Sequence, residues 1–403
     1  MEGRDVVVVS AARTPFSKFG GMLRDFPSVQ LGAIVMKEVL ERVGIEPKEV
    51  EETYYGLAIL AEASLDLDVP GRQATLFAGF PPEHISLTVN RACCSSLSAL
   101  RLGYCAIKAG EIHTALAVGS DNMGRAPFLA TGVRWGSRLG NVVLKDPLFE
   151  LGYPAFAPLA KDAGEVAIEY GITREEQDRW ALQSHFRYFK AMKEGKFKIG
   201  EELMTVKVPQ KVGPPLLFTQ DESPRPDTTL EKLSKLLPVY GSPTVTSGNA
   251  PGLSTGATAV LLMSRERAIE KGLKPLATVL SSVATAIDPR YIAAIPAPTV
   301  LKALEKAGKK LGDMDLIEIN EAFAAMPLVS SKILTMETGE DIKRLGEKMN
   351  VNGGAIAIGH PVGASALRIM MTMMYELKRR GGGLGVAAIC GGLAQGEGVV
   401  IDV

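Results

Sequence analysis

Residues 6–9 are four consecutive valines between Arg4-Asp5 and Ser10-Ala11. An unbroken β-branched run with polar ends predicts a strand buried on both faces. From Ser28 the pattern changes period: Leu31, Val35, Val39 and Val43 fall on one side, with Lys37, Glu38, Glu41 and Arg42 elsewhere. That is the spacing of an amphipathic helix, with Gly44 suited to its C-terminal turn. Strands are expected over 53–58 and 115–118, flanking a helix from Ser95-Ser96 to about Gly110. The second half repeats the order, with strands over 276–280, 316–319 and 384–389 and helices over 299–307 (Leu301 and Leu304 inside) and 365–379. Each half closes on a glycine-started apolar strand, Gly256 to Met263 and Gly398 to Val403. The shared order of strand, helix, strand, glycine-rich turn, helix, strand predicts two duplicated α/β halves.

Between residues 121 and 252 the pattern breaks. Pro127, Pro147, Pro154, Pro158, Pro209, Pro214, Pro215, Pro224 and Pro226 interrupt it, around one helical segment over 173–193 with Thr173 as its N-cap and Glu175 and Glu176 in its first turn. The stretch is too long for a plain loop and reads as an inserted subdomain. The chain therefore divides into 1–122 (completed by 253–273), an insertion over 123–252, and 274–403. The insertion carries Lys190, Lys193, Lys196, Lys198, Lys207, Lys211 and Arg225. Together these could meet a polyphosphate, although a solvated surface is the ordinary reading of any one of them.

Composition narrows the function classes. With 45 basic and 45 acidic side chains the 403-residue chain has no net charge, so no global field recruits nucleic acid or an anionic membrane. No apolar run reaches the ~18 residues of a spanning helix. Residues 1–9 leave no room for a secretory leader, and the last six residues match no common address signal. Four cysteines, two of them adjacent, make no disulfide framework, and a reducing, cytoplasmic setting is expected. No CxxC or HxxxH spacing suggests a metal.

Three segments rich in small residues abut apolar runs: Asn90-Arg91-Ala92-Cys93-Cys94-Ser95-Ser96, Gly353 to Gly363 around His360, and Cys390-Gly391-Gly392. Such turns bring backbone amides close to a ligand. Cys93 stands just before a helix start, whose amides and dipole are expected to lower its thiol pKa; buried filler is the competing reading of Cys93 and Cys94. His360 sits in a glycine turn before a helix, a place for a base, whereas His84, His113 and His185 lie in unremarkable polar surroundings. Cys390 ends an apolar strand before two glycines.

In this order the segments resemble the thiolase family, over essentially the whole chain. Ser10-Ala11-Ala12-Arg13-Thr14-Pro15-Phe16 is similar to the family's N-terminus. Asn90-Arg91-Ala92-Cys93 resembles its nucleophile motif, in which the cysteine lies three residues after asparagine, and this selects Cys93 over Cys94. Gly119-Ser120-Asp121-Asn122-Met123 is similar to the lead into the family's loop domain. Asp221-Glu222 through Arg225, Thr228-Thr229-Leu230-Glu231 and Thr246-Ser247-Gly248-Asn249-Ala250 are similar to its coenzyme-binding stretch. Asn320-Glu321-Ala322-Phe323-Ala324, the His360 turn and Cys390-Gly391-Gly392 complete the set.

The resemblance implies a duplicated five-layered αβαβα fold with an inserted loop domain that binds CoA, assembled as a homodimer or homotetramer. It implies reversible thiolysis of a 3-oxoacyl-CoA, or the reverse condensation, with CoA as substrate and no cofactor. Cys93 would be the acyl nucleophile, His360 its base and Cys390 a second acid/base. His360 and a water held by Asn320 would form one oxyanion hole, and the backbone amides of Cys93 and Gly392 the other. Arg225, Ser247, Ala250, Ala322 and Phe323 would contact CoA or the acyl group.

Four places depart from the small-substrate members: Cys94 and Ser96, Pro251, Pro158-Leu159-Ala160-Lys161, and Arg290-Tyr291-Ile292-Ala293-Ala294. The acyl group is therefore open: longer, branched or aromatic chains stand beside acetoacetyl. Cys94-Ser95-Ser96 also resembles the β-ketoacyl synthases, against which Asn320-Glu321-Ala322-Phe323 and Cys390 count. A non-catalytic acyl or sterol carrier would require loss of a site residue, and all four positions are filled.

Overall fold

The computed structural model describes residues 4–60, 62, 68–149 and 155–403; Met1 and Pro154 of the readings above lie outside them. The strands of one half are β1 (Val6–Arg13), β2 (Glu52–Leu57), β3 (Ile85–Val89), β4 (Thr114–Asn122) and β5 (Ser254–Ser264). Those of the other are β6 (Ala277–Ala286), β7 (Leu316–Ile319), β8 (Leu384–Gly391) and β9 (Gln395–Asp402). They hydrogen-bond in the order β7-β8-β9-β6-β1-β5-β4-β2-β3, with the two-residue strand Ser17–Lys18 beside β5.

The pairing scheme repeats. β1 is antiparallel to β5, β5 antiparallel to β4, and β4 parallel to β2. β6 is antiparallel to β9, β9 antiparallel to β8, and β8 parallel to β7. Among the described residues the two sets pair where Val7 and Val8 of β1 face Thr278 and Ala277 of β6.

The valine run explains the layering. Val6 and Val8 enter a central apolar cluster, while Val7 and Val9 enter an outer one, so the strand is buried on both faces and need not alternate with polar residues. The outer cluster is covered by α1 (Ser28–Glu41) and flanked by α2 (Pro70–Phe77). The central cluster holds α3 (Ser95–Ala109) and, from the other half, α8 (Ser365–Arg379). Beyond the second set of strands lie α6 (Pro296–Ala307) and α7 (Ala325–Thr338). The result is helix, sheet, helix pair, sheet, helix: an α/β fold in five layers. Every residue of α8 from Ser365 to Leu377 is buried, as a helix between two sheets must be.

Between β4 and β5 the chain leaves the sheets and forms α4 (Leu159–Glu169) and α5 (Arg174–Lys193). Thr173 caps α5, accepting from the Glu176 backbone N–H, with the Glu176 side chain returning the bond. Fully buried Arg13 ties this excursion to β1. It donates to Glu202 (2.6 Å) and to both oxygens of Asp221 (2.7 and 3.0 Å).

The spans over 316–319 and 365–379 coincide with β7 and α8, while Leu301, expected inside α6, is only half-buried. The short periodic stretches of α2, β3, α4 and α7 carried no strong signal; β3, for example, exposes Ile85 and Leu87 at the sheet edge. Among the described residues no helix is long and apolar enough to cross a membrane, and no cluster of His, Cys, Asp or Glu could hold a metal ion.

Candidate active site

Cys93 lies in the turn from β3 into α3, and the turn is closed by side chains. Asn90 Oδ1 accepts the Ala92 N–H (2.9 Å), and Asn90 Nδ2 donates to the Ala58 carbonyl (3.2 Å). Ser95 Oγ accepts from the Arg91 N–H (2.9 Å) and donates to the Ala92 carbonyl (2.6 Å). These four bonds hold Ala92 at φ +46°, a left-handed conformation that costs an alanine roughly 1–2 kcal/mol. The asparagine three residues before the cysteine is thus the clamp of the turn that presents it.

His360 comes from the other half, between Gly359 (φ +107°) and Pro361. Its backbone N–H donates to Ser254 Oγ (3.1 Å). Its Nδ1 is 2.6 Å from Ser365 Oγ, and that hydroxyl donates its own proton to the Pro361 carbonyl (2.8 Å). Ser365 can therefore only accept from Nδ1, so the imidazole carries its hydrogen there. The lone pair is left on Nε2, 3.3 Å from Cys93 Sγ. Burial, with a smaller contribution from the nearby Arg368 charge, lowers the His360 pKa to about 3. The ring is neutral and free to accept a proton.

The expected lowering of the Cys93 pKa is not what the structure gives. Burial, then Cys390 and Asp121, push it well above the ordinary thiol value. Cys93 keeps partial exposure toward the cavity, but the low-dielectric surroundings outweigh the helix N-terminus. The resting pair is thiol and neutral imidazole. Such a pair can transfer its proton as sulfur attacks an electrophile, when charge passes onward and is not stranded on sulfur.

Several contacts lock the two turns together. Asp121 at the end of β4 accepts backbone N–H groups from Ile59 (2.9 Å) and Gly363. Arg91 and Ser98, on either side of the cysteine turn, both donate to buried Glu397 on β9, Ser98 at 2.7 Å. A side chain at Gly119 would sit 2.4 Å from the Gly363 carbonyl and 2.5 Å from Ser96 Cβ, so glycine lets the two helix entries converge.

Cys390 is the next-to-last residue of β8, buried, its pKa pushed up to about 12 by burial. Asn320, just after β7, donates its backbone N–H to the Ala388 carbonyl (3.1 Å) and accepts on Oδ1 from Arg368 (3.2 Å). Its neighbour Glu321 accepts from Trp180 Nε1 (2.9 Å), Ser184 Oγ (2.7 Å), Asn350 Nδ2 (3.1 Å) and the Ile356 N–H (3.1 Å). This glutamate joins α5 to the histidine turn.

Cys93, His360, Cys390 and Gly392 converge on one cavity of about 430 Å³. Its wall is largely apolar, with Met123, Leu148, Leu159, Ile292, Phe323, Met326 and Leu393. Three of the sequence departures meet it: Pro251, Leu159 and Ile292 are on the wall, whereas Ala160 is buried behind. Ala322 and Phe323 line it as well. Arg225 and Ser247 are exposed and Ala250 half-buried, and these three are not on this wall. Arg225 donates its backbone N–H to Nδ1 of buried His185 (3.2 Å), so His185 is less ordinary than its sequence surroundings suggest. Sequence reading assigned no role to Ser365, Ser254, Asp121, Arg368 or Glu397. Only Ser365 carried a signal, as the first residue of the helix expected after the histidine turn.

Known proteins resemble this chain over nearly its whole length. Residues 6–266 match the model for the thiolase N-terminal domain and residues 273–403 that for the thiolase C-terminal domain. An acetyl-CoA acetyltransferase of Cupriavidus necator is 41% identical over 403 residues, covering 99% of both chains. One of Pseudomonas aeruginosa is 41% identical over 397 residues, covering 98% of both. The crystal structure of human mitochondrial 3-ketoacyl-CoA thiolase in complex with CoA superposes at a TM-score of 0.91 and 37% identity, over 99% of this chain and 98% of that one. Bacillus anthracis acetyl-CoA acetyltransferase gives 0.92 and 36%, over 100% and 99%.

Proposed function

The chain belongs to the thiolase family, and from that premise we propose how its cavity carries out acyl transfer between CoA thioesters. The observation that carries the reading is the approach of His360 Nε2 to Cys93 Sγ, 3.3 Å, in a cavity that Cys390 also lines. In the cleaving direction Cys93 sulfur attacks the keto carbon of a 3-oxoacyl-CoA while its proton passes to His360. The bond between C2 and C3 breaks, and the enolate of acetyl-CoA takes its proton from the Cys390 thiol. CoA then gives its thiol proton to Cys390 and attacks the acyl-Cys93 thioester; His360 returns its proton to Cys93 as acyl-CoA leaves. The condensation runs the same steps backward.

Negative charge develops on oxygen twice. His360 and a water donated to by Asn320 would meet the enolate, and the backbone amides of Cys93 and Gly392 the tetrahedral intermediate. Loss of one such donor typically costs roughly 3–4 kcal/mol of transition-state stabilisation. The apolar wall supports an acyl chain, with Leu159 and Ile292 setting its room. The insertion over 123–252 would supply much of the CoA contact, Arg225 and Ser247 among it, outside the acyl cavity.

Incubation with acetyl-CoA followed by intact mass measurement tests the reading: an acetyl adduct on the native protein, absent from Cys93→Ser, is expected. No adduct on the native protein would overturn it. Thiolysis of a series of 3-oxoacyl-CoAs, followed at the magnesium-enolate absorbance, then orders the acyl groups by kcat/KM.

A further inference from the structure

We propose that Arg368 is a positioning residue for the carbon–carbon bond step: it fixes the Asn320 side chain with its oxygen toward the guanidinium, leaving the amide N–H₂ as the free donor. This rests on the reading that Asn320 serves the enolate oxyanion hole. Arg368 lies one turn beyond Ser365 on α8, and its side chain is fully buried. Its Nη2 donates to Asn320 Oδ1 at 3.2 Å. A guanidinium has donors only, so turning the amide over would set N–H against N–H. The other end of the amide, Nδ2, is buried and finds no hydrogen-bond partner among the described residues. The backbone of Asn320 is pinned by its bond to Ala388, so the arginine decides only how the side chain is turned.

The arginine makes little other use of its charge. Nε and Nη1 have no hydrogen-bond partner among the described residues, and the Glu318 carboxyl stands 3.8 Å away, beyond hydrogen-bond reach. A fully buried cation so sparsely bonded is a costly way to fill space. Among the described residues its one side-chain hydrogen bond goes to Asn320, the residue given the oxyanion role.

The test compares two reactions of the full-length protein. Exchange of labelled CoA into acetyl-CoA passes through acyl-Cys93 without touching a carbon–carbon bond; thiolysis of a 3-oxoacyl-CoA requires that bond to break. In Arg368→Met the thiolysis kcat is expected to fall about 100-fold, the effect of a misplaced site group, with KM nearly unchanged and exchange close to native. Arg368→Gln, which keeps one donor, recovers part of the loss, and it carries the same comparison should the methionine variant fail to fold. Adding Asn320→Ala to either variant lowers thiolysis no further. Equal slowing of both reactions, or losses at 320 and 368 that multiply, would overturn the proposal. Unchanged thiolysis in Asn320→Ala alone would instead sink the role given to Asn320, whatever Arg368 does.

Discussion

Ser365 Oγ stands 2.6 Å from His360 Nδ1 while giving its own proton to the Pro361 carbonyl at 2.8 Å. One hydroxyl therefore fixes both the tautomer and the orientation of the imidazole, and so aims the Nε2 lone pair at Cys93. The serine is the first residue of α8 and the histidine ends the glycine turn before it, so helix start and base are positioned as one unit.

Ser365→Ala should accordingly lose activity without losing the fold. With no acceptor at Nδ1, the ring can place its hydrogen on Nε2 and turn from the sulfur. Removing a partner that orients a working histidine typically costs 10–100-fold. A drop of that size in kcat, with an unchanged circular dichroism spectrum, is the expected result. A kcat within about twofold of native would show that Ser365 does not orient the ring.

The raised Cys93 pKa makes a prediction about the free enzyme. Burial disfavours the thiolate in the resting state, so alkylation of Cys93 by iodoacetamide should keep accelerating as pH rises through 9. A rate that levels off below pH 8 would mean that the helix N-terminus wins after all. Cys93→Ser identifies the residue being modified.

Stability should fall as pH rises from 6.5 to 8, where the buried carboxyls titrate and the histidines no longer oppose them. His84, His185 and His360 have pKa values lowered by burial to about 4, 4 and 3, so below 6.5 the unfolded chain binds three more protons and acid destabilises. Glu318 and Asp121 are raised by burial to about 8 and 7, so the folded chain holds two more protons from about 4.5 upward, and stability falls as pH rises through 7 to 8. The thermal midpoint measured from pH 5 to 9 checks this; a midpoint that climbs steadily from 6 to 8 would refute the carboxyl assignments.

Much of this was legible in the sequence, for identifiable reasons. Strands buried on both faces, such as the valine run of β1, keep one apolar pattern wherever they sit, and the Thr173 cap with Glu176 is a purely local motif. Cys93 and His360 stood out because each lies in a turn whose small residues serve a close approach, and Cys390 because its strand runs out into glycines. What escaped was whatever depends on contact between distant segments. Ser365 and Arg368 look like ordinary helix residues until His360 and Asn320 are set beside them. Asp121 could be placed in a motif but not seen to grip Gly363, 242 residues away. The Cys93 pKa was misjudged because the helix end is local while the burial comes from both halves.

Gly119→Ala should show how tightly the halves must meet. Gly119 lies inside β4 at a position where any residue can take up the strand backbone, so no conformational freedom is at stake. What glycine supplies is space: an added methyl would lie 2.4 Å from the Gly363 carbonyl, 2.5 Å from Ser96 Cβ and 3.1 Å from Ala364 Cα. Two of these are backbone atoms, one of them in Gly363, whose N–H Asp121 holds, so relief must come from moving the start of α8 away from α3. Overpacking of this kind typically costs 1–3 kcal/mol, seen as a lowered midpoint in urea. The same movement separates His360 from Cys93, so activity should fall by about 100-fold or more, well beyond what the stability loss alone explains. Adding Asp121→Asn, which loosens the hold on the same residue, should cost less than the two single changes combined. Native kcat in Gly119→Ala would show that the helix entries can part without disturbing the pair.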